Sequence, residues 1–422
     1  MKENKQKGVM NGKKFFVSIL SAIVILLVFA LGYILGRSGF NVAWEQGEFS
    51  YSFKGLLYPE EKDINFDLFW DVWSRLETEY VDKAIDEEDM FYGAIKGMVS
   101  ALGDPATQFF TAEETDQYDL EKSGMFSGIG IEMGYLDNQI IIQKVFEDTP
   151  ASESGLEEGD VILKVDGEDM SEYGISEYAN RIRGEEGTDV ALTVLREDES
   201  VDISITRGEV YVESMNWEML DNDIAFITIR RFTESDYSSF VTLWDKIASE
   251  VDNSNTQGII VDLRANGGGY LDGAVYIGGE FLDNGDVILY VQDREGRKEA
   301  KKVSREGKLK EVPLVILVDA GTASSSEIFS GALQYYDRAI VIGEETYGKG
   351  TAQDVLKPVT WGGASIHITA QKWLLPNKRW INSDDPIMPD IEVGITIEEI
   401  KQGEDPQLDR AIEEINKAVT AE

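Results

Sequence analysis

No cysteine occurs among the 422 residues, and histidine occurs once, as His367. The first absence removes disulfide frameworks, thiolate zinc sites and cysteine nucleophiles. The second removes histidine-rich metal centres and leaves a Ser-His-Asp triad a single position to use. Basic side chains are also scarce: 39 Lys and Arg stand against 79 Asp and Glu, a formal charge of −40. A chain of that balance lacks the basic footprint of a general nucleic-acid binder, so no nucleic acid is expected as a partner. Disorder is excluded as well, because 42% of the residues are hydrophobic, with 8 Trp, 17 Tyr and 18 Phe. At roughly 150 residues per domain, the length suits two or three domains.

What is present begins with one long apolar run. Residues 15–36 read FFVSILSAIVILLVFALGYILG and contain no charge. As a helix they would span about 33 Å, enough to cross a hydrocarbon core of about 30 Å. Lys2, Lys5, Lys7, Lys13 and Lys14 precede the run and only Glu3 opposes them. The positive-inside rule then leaves the N-terminus in the cytoplasm and the rest outside. A cleaved signal peptide is the competing reading, but the run exceeds the usual signal core and no A-x-A-like site follows it. The expectation is a single-pass membrane protein with the lipid bilayer as a partner through residues 15–36. Beyond residue 37 the chain keeps 78 acids and 33 bases, a formal −45. That acidic surface favours solubility and disfavours docking onto anionic headgroups.

Periodicity divides the remainder. Residues 37–65 show no clear period and read as a tether. Phe66, Phe69, Trp70, Trp73, Leu76 and Tyr80 recur at helical spacing, and a second helix carrying Met90, Ile95, Met98 and Leu102 stops at Gly103-Asp104-Pro105. From 124 to 209 short strand-like runs are separated by Gly-Asp, Asp-Gly and Gly-Thr pairs, giving a compact unit dominated by β structure. From 210 to 400 apolar β runs alternate with helices, the pattern of a mostly parallel, covered sheet. Residues 401–422 close with a helix. The expected fold class is thus a multidomain α/β and β chain. Its parts are a cytoplasmic tail (1–14), a transmembrane helix (15–36), a tether (37–65), a helical segment (66–123), the β unit and the αβ core.

Chemistry concentrates in the core. Strand Leu314–Val318 runs into Asp319-Ala-Gly-Thr-Ala-Ser324-Ser325-Ser326-Glu327, where a helix begins. A sharp strand-to-helix turn sets a residue at the carboxyl edge of the sheet, beside unpaired N–H groups and a partial positive charge. That suits a serine nucleophile and an oxyanion. Ser324-x-x-Glu327 equally fits an ordinary capping box, so the surroundings must decide.

A serine needs a base. His367 lies in Ala364-Ser-Ile-His-Ile-Thr-Ala370, on the polar face of an alternating strand, and is expected at the surface. The remaining base is a buried neutral lysine, and Lys349 in Gly343-Glu-Glu-Thr-Tyr-Gly-Lys-Gly350 follows a β run between two glycines. The segment imitates a P-loop, yet Gly350 replaces the magnesium-binding hydroxyl, Glu344 and Glu345 would repel phosphate, and an extended run follows. A third fragment, Asp262-Leu-Arg-Ala-Asn-Gly-Gly-Gly269, ends a strand in three glycines whose N–H groups can approach a carbonyl.

In order, DLRANGGG, GTASSSE and GKGTAQ resemble the motifs of the C-terminal processing peptidases, or tail-specific proteases, a family of Ser-Lys hydrolases. GMVSALGDPATQFFT at 97–111 resembles that family's helical N-terminal segment. The resemblance implies Ser324 as nucleophile, Lys349 as general base, Gln353 orienting the lysine, and the N–H groups of Gly268 and Ser325 as the oxyanion hole. No metal or organic cofactor is implied. Two departures stand out: Gly267 where the family often has Pro, and Tyr335 where some members carry Asp. The resemblance therefore implies a dyad with a glutamine helper and no carboxylate. The unit at 124–209 resembles a bacterial, circularly permuted PDZ domain, with Gly128, Ile129, Gly130 and Ile131 matching the loop and strand that receive a free carboxylate. Arg183, in Arg183-Gly-Glu-Glu-Gly-Thr188 of the same unit, is a candidate contact to substrate or to the protease body. Polypeptides with accessible C-termini are the implied substrates. A catalytically silent PDZ scaffold at the membrane is the alternative.

Overall fold

The computed structural model describes residues 40–45, 48–53, 66–82 and 85–421, except 137–138, 172, 174 and 197–198, together with residues 23, 26, 28 and 29. The apolar run 15–36 lies largely outside the described residues. Among the described residues no helix is long and apolar enough to cross a membrane. The chain divides into two units, residues 1–86 and 87–422. In the first, β1 (Phe40–Glu45) and β2 (Glu48–Phe53) form an antiparallel ribbon where a tether was expected. Helix α1 (Asp67–Glu79) carries the expected apolar stripe, and none of its residues is buried within the unit.

The second unit opens with α2 (Glu87–Ser100), β3 (Gln108–Phe110) and α3 (Ala112–Lys122). A β-rich body follows. It contains β4 (Met125–Gly128), β5 (Ile131–Leu136), β6 (Gln139–Val145), α4 (Pro150–Ser154), β7 (Val161–Val165), β8 (Glu168–Asp169), α5 (Ile175–Ile182), β9 (Asp189–Arg196) and β10 (Glu199–Thr206). Its sheet order is β10-β9-β7-β6-β5, which puts β5 at an end. Ile140, Ile142, Met170, Leu192 and Val194 form its core. The chain leaves along β11 (Gly208–Tyr211), which pairs antiparallel with the entering β4.

The α/β core is built on β12 (Met215–Leu220), β13 (Ile224–Ile229), β14 (Gly258–Asp262), β17 (Leu314–Val318), β18 (Ile340–Gly343) and β21 (Ile391–Glu392), ordered as written. β12 is antiparallel to β13; the other pairings are parallel. Every residue of β17 is buried, as a central parallel strand covered on both faces requires. Helices α6 (Tyr237–Asn253), α7 (Leu271–Gly278) and α8 (Ser325–Tyr335) join a large core that includes Trp244, Phe240, Phe329 and Phe281. A smaller core holds Ala411 and Ile415 of α10 (Pro406–Ala421), which follows the short α9 (Ile397–Gln402). Truncating one such buried aromatic typically costs about 3–5 kcal/mol.

A second, antiparallel sheet was not anticipated from the sequence. β15 (Val287–Gln292), β16 (Lys298–Lys302), β19 (Thr351–Leu356) and β20 (Ser365–Leu374) are ordered β16-β15-β20-β19, and β3 adds to β20. The segment before the PDZ-like body is thereby sewn into the core.

Candidate active site

The turn from β17 into α8 is strained at one residue. Ser324 sits at φ 57°, ψ −115°, a left-handed conformation that costs a non-glycine residue on the order of 1–3 kcal/mol. The surrounding bonds hold it there. Thr322 Oγ1 donates to the Leu263 carbonyl at 2.9 Å, and Ala323 N–H donates to the Asn266 carbonyl at 2.9 Å. Asp319 Oδ1 accepts from the N–H groups of Ala265 at 2.9 Å and Gly321 at 3.0 Å. These bonds fasten the DLRANGGG loop to the serine loop.

The three serines separate clearly. Ser325 Oγ donates to the Gly269 carbonyl at 3.0 Å, and Ser326 Oγ to the Asn266 carbonyl at 3.0 Å. Both are buried; Ser324 is only half-buried. Ser325 N–H, at the first position of α8, has no acceptor within the helix.

Gly268 is pressed against this turn. It adopts φ 101°, and a Cβ there would lie 2.8 Å from Ser324 Cβ and 2.9 Å from Ser325 N. Only glycine fits such an approach. Its own N–H donates to Asn266 Oδ1 at 2.9 Å, so this donor is already engaged. Arg264 and Asp262 pair with each other, Nη2 to Oδ2 at 2.7 Å, and Arg264 also reaches Asp405 at 2.9 Å. Burial opposes the Arg264 charge, but those two carboxylates outweigh it and push its pKa up. The pair ties the loop to the start of α10.

Glu327 links the serine turn to the lysine loop. Its side chain is fully buried. One oxygen accepts from Ser324 N–H at 2.8 Å and Lys349 N–H at 2.9 Å. The other accepts from Gly348 N–H at 2.8 Å and Thr346 Oγ1 at 2.6 Å. The expected capping box is present, and the same carboxylate also gathers the loop that carries Lys349. Capping spacing revealed the first role and gave no signal for the second.

Lys349 is flanked by glycines for a steric reason. A Cβ at Gly350 would fall 1.7 Å from the Ile381 carbonyl oxygen. The Lys349 amine has its pKa lowered, chiefly by burial, with the charges of Asp104 and Glu327 acting the other way. Gln353, on β19, donates Nε2 to Thr351 Oγ1 and Thr369 Oγ1, each at 3.2 Å. Its Oε1 is the atom suited to accept from an ammonium.

His367 corrects the sequence reading. It is buried, with its ring 4.6 Å from Phe110 and 4.7 Å from Tyr118. The polar face of β20 turns inward because β3 and α3 cover it, pairing Ser365 Oγ with Thr115 Oγ1 at 2.8 Å. Burial, then Lys357 and Lys122, push the His367 pKa down. Tyr335, where some relatives of the motif carry Asp, is exposed near the end of α8.

In the β-rich body, Gly130 at φ 85° precedes β5, and a Cβ there would lie 2.3 Å from Thr149 Cβ. The Ile129 carbonyl accepts from Ala151 N–H at 2.7 Å and the Gly130 carbonyl from Phe146 N–H at 3.1 Å. These carbonyls are thus engaged within the body. Ile129 is buried in the core, Gly128 pairs with Gly208 in the β4–β11 ribbon, and Ile131 begins β5. The Arg183 guanidinium lies 5.6 Å from the Phe126 ring centre.

Comparison with known proteins decides the family. The profile of Peptidase family S41 matches residues 223–393, and that of the PDZ domain matches residues 127–206. The carboxy-terminal processing protease CtpA of Bacillus subtilis is 31% identical over 371 residues, covering 88% of this chain and 75% of that protein. This chain belongs to peptidase family S41. A carboxy-terminal-processing protease of Bartonella bacilliformis is 32% identical over 346 residues, 81% of this chain and 77% of that one. Among solved structures, the photosystem II D1 C-terminal processing protease superposes with a TM-score of 0.56 at 23% identity, covering 78% of this chain and 92% of that one. Mature CPAF gives 0.53 at 13% identity over 78% and 87%. These two show the shared fold. The S41 chain described here is accordingly a serine-type, C-terminal processing peptidase with a PDZ domain.

Proposed function

We propose that this S41 peptidase is anchored in the membrane by residues 15–36, with its catalytic part outside the cytoplasm, and that Ser324 and Lys349 form its catalytic dyad. The observation that carries the dyad is the shared Glu327 oxygen. Ser324 N and Lys349 N both lie within 3 Å of it, at 2.8 and 2.9 Å, while the neighbouring serine hydroxyls are bonded to carbonyls. Burial of the amine supports a neutral lysine at working pH.

The PDZ domain receives a substrate C-terminus, its chain adding beside the terminal strand β5 at the Gly128–Ile131 segment. At the cleft, Lys349 Nζ takes the Ser324 Oγ proton as Oγ attacks the scissile carbonyl. The tetrahedral oxyanion is received by Ser325 N–H. Gly268 N–H becomes the second donor when it turns from Asn266 Oδ1 or shares its proton. Removing one such donor typically costs about 2.7–4 kcal/mol of transition-state stabilisation. The C–N bond breaks, the lysine ammonium protonates the leaving amine, and a serine ester remains. Lys349 then deprotonates a water that hydrolyses the ester. Gln353 Oε1 holds the amine between these transfers.

Ser324→Ala and Lys349→Ala should each abolish cleavage of a peptide with an apolar C-terminus while leaving peptide binding intact. Full activity in either variant overturns the dyad. Deletion of residues 1–37 should release an active enzyme from membranes; sedimentation of that variant with membranes would refute the anchor.

A further inference from the structure

We infer that Asp104, in the segment preceding the PDZ domain, is a positioning residue for the catalytic lysine, acting through Thr369 and Gln353. The inference rests on the Ser-Lys reading and adds to it a carboxylate from a different part of the chain.

The geometry is continuous. β3 pairs with the start of β20, aligning Gln108 with His367. This brings the Asp104–Thr107 turn to Thr369. Thr107 Oγ1 donates to Asp104 Oδ2 at 2.6 Å and accepts from Thr369 N–H at 3.0 Å. Thr107 Oγ1 thus bridges the Asp104 carboxylate and the Thr369 backbone, and Thr369 is among the groups that lower the Asp104 pKa. The Thr369 hydroxyl carries lone pairs that can accept from a further donor. Thr369 Oγ1 accepts from Gln353 Nε2 at 3.2 Å, with Gln353 and Thr369 in register across β19 and β20. A bulge between Ala352 and Gln353 sets that register. The chain of bonds therefore fixes which end of the Gln353 amide faces away from Thr369. With Nε2 committed to two hydroxyls, Oε1 is presented as the acceptor.

Electrostatics run the same way. Burial raises the Asp104 pKa, but Thr107, Thr369 and Ala106 N–H, with the Lys349 charge, bring it down overall, so it is ionised at neutral pH. The charged groups acting on Lys349 are Asp104 and Glu327, both favouring the ammonium against desolvation; His367 is the other titratable group coupled to it, and it is held neutral. Glu327 is occupied by four donors, one from the serine turn and three from the backbone and hydroxyl of the lysine loop, which leaves Asp104 as the other carboxylate acting on the Lys349 amine. Burial alone would leave Lys349 a weak base; a nearby carboxylate keeps it able to take the serine proton. The segment Gly103-Asp104-Pro105-Ala106-Thr107 thus completes the protease site from outside the αβ core.

The test is the pH dependence of kcat/KM for peptide cleavage in the full-length enzyme, measured for wild type, Asp104→Asn, Thr369→Val, Thr369→Ser and Lys349→Ala. Activity requires neutral Lys349, so the acid limb reports its pKa in the free enzyme. Loss of the Asp104 charge makes the amine easier to deprotonate, and the limb should move to lower pH by roughly half a unit or more. Thr369→Val should lower kcat without moving the limb, and Thr369→Ser should restore it. A merely structural Asp104 would reduce activity at every pH and leave the limb in place, and that result overturns the inference. Activity surviving in Lys349→Ala overturns the underlying dyad instead, so the two failures are distinguishable.

Discussion

Replacing Glu327 by glutamine removes one negative charge and turns one acceptor oxygen into an NH2 group. In the native site one oxygen receives Ser324 N–H and Lys349 N–H, and the other receives Gly348 N–H and Thr346 Oγ1. Whichever way the glutamine amide turns, two donors face a donor. The side chain is fully buried, so water does not replace the lost acceptor. If the NH2 faces Ser324 and Lys349, two backbone N–H groups are stranded. If it faces Thr346, the hydroxyl rotates to accept and only Gly348 N–H is stranded, so this orientation is favoured. Each stranded group costs about 1–3 kcal/mol, and the three remaining bonds lose their charge assistance, giving roughly 3–5 kcal/mol in all. The loop carrying Lys349 should also shift, and a displacement near 1 Å can cost on the order of 10²-fold in rate. Urea unfolding followed by tryptophan fluorescence, with kcat measured on the same preparation, reads both effects. A stability loss below about 1 kcal/mol with normal turnover would refute the reasoning, because it would mean the carboxylate does not hold the two loops together.

Three further outcomes follow from the titrating groups and from Gly130. Lys349→Met should stabilise the inactive protein at neutral pH. The folded-state pKa of Lys349 lies below its ordinary 10.5, so the wild type carries the full penalty at pH values below the folded pKa and loses it as pH climbs to 10.5; the gain in melting temperature should fade over that window. A gain that does not change with pH would contradict the buried-amine account. For His367 the folded pKa lies below 6.5, so the wild type should lose stability as pH falls from 6.5 through the folded value, and His367→Phe should flatten that acid-side loss. Equal pH profiles for the two proteins would count against a buried neutral ring. Gly130→Ala places a methyl at a positive φ and into Thr149, so affinity for a C-terminal peptide should fall at least tenfold by fluorescence anisotropy; unchanged affinity would remove this segment from the binding site.

Much of this arrangement was legible from local sequence. The buried run Leu314–Val318 and the alternation of apolar strands with helices announce a parallel sheet, because a strand covered on both faces needs no polar side. The turn at Ser324 was readable because strand, small residues and helix start follow one another directly. What stayed hidden depends on contacts distant in sequence. Glu327 binds groups 19 to 22 residues away, and spacing within a helix reports only the nearby cap. Asp104 reads locally as a helix stop, since nothing in its own neighbourhood shows that β3 joins β20. The alternation in residues 365–369 points to an exposed polar face, yet that face is interior because another segment supplies matching hydroxyls, as Thr115 does for Ser365 and Thr107 for the backbone of Thr369. Tyr335 illustrates the converse. It is exposed at the end of α8, while the carboxylates that act on the Lys349 amine are Asp104 and Glu327.

The central claim is that Ser324, activated by Lys349, is the nucleophile. The most direct measurement is fluorophosphonate labelling of the full-length enzyme followed by peptide mapping, for wild type and Lys349→Ala across a pH series. The account predicts one adduct on Ser324 Oγ, formed faster as pH rises through the lysine pKa and nearly absent without Lys349. An adduct on Ser325 or Ser326, or labelling of Ser324 at an undiminished rate in Lys349→Ala, would contradict it.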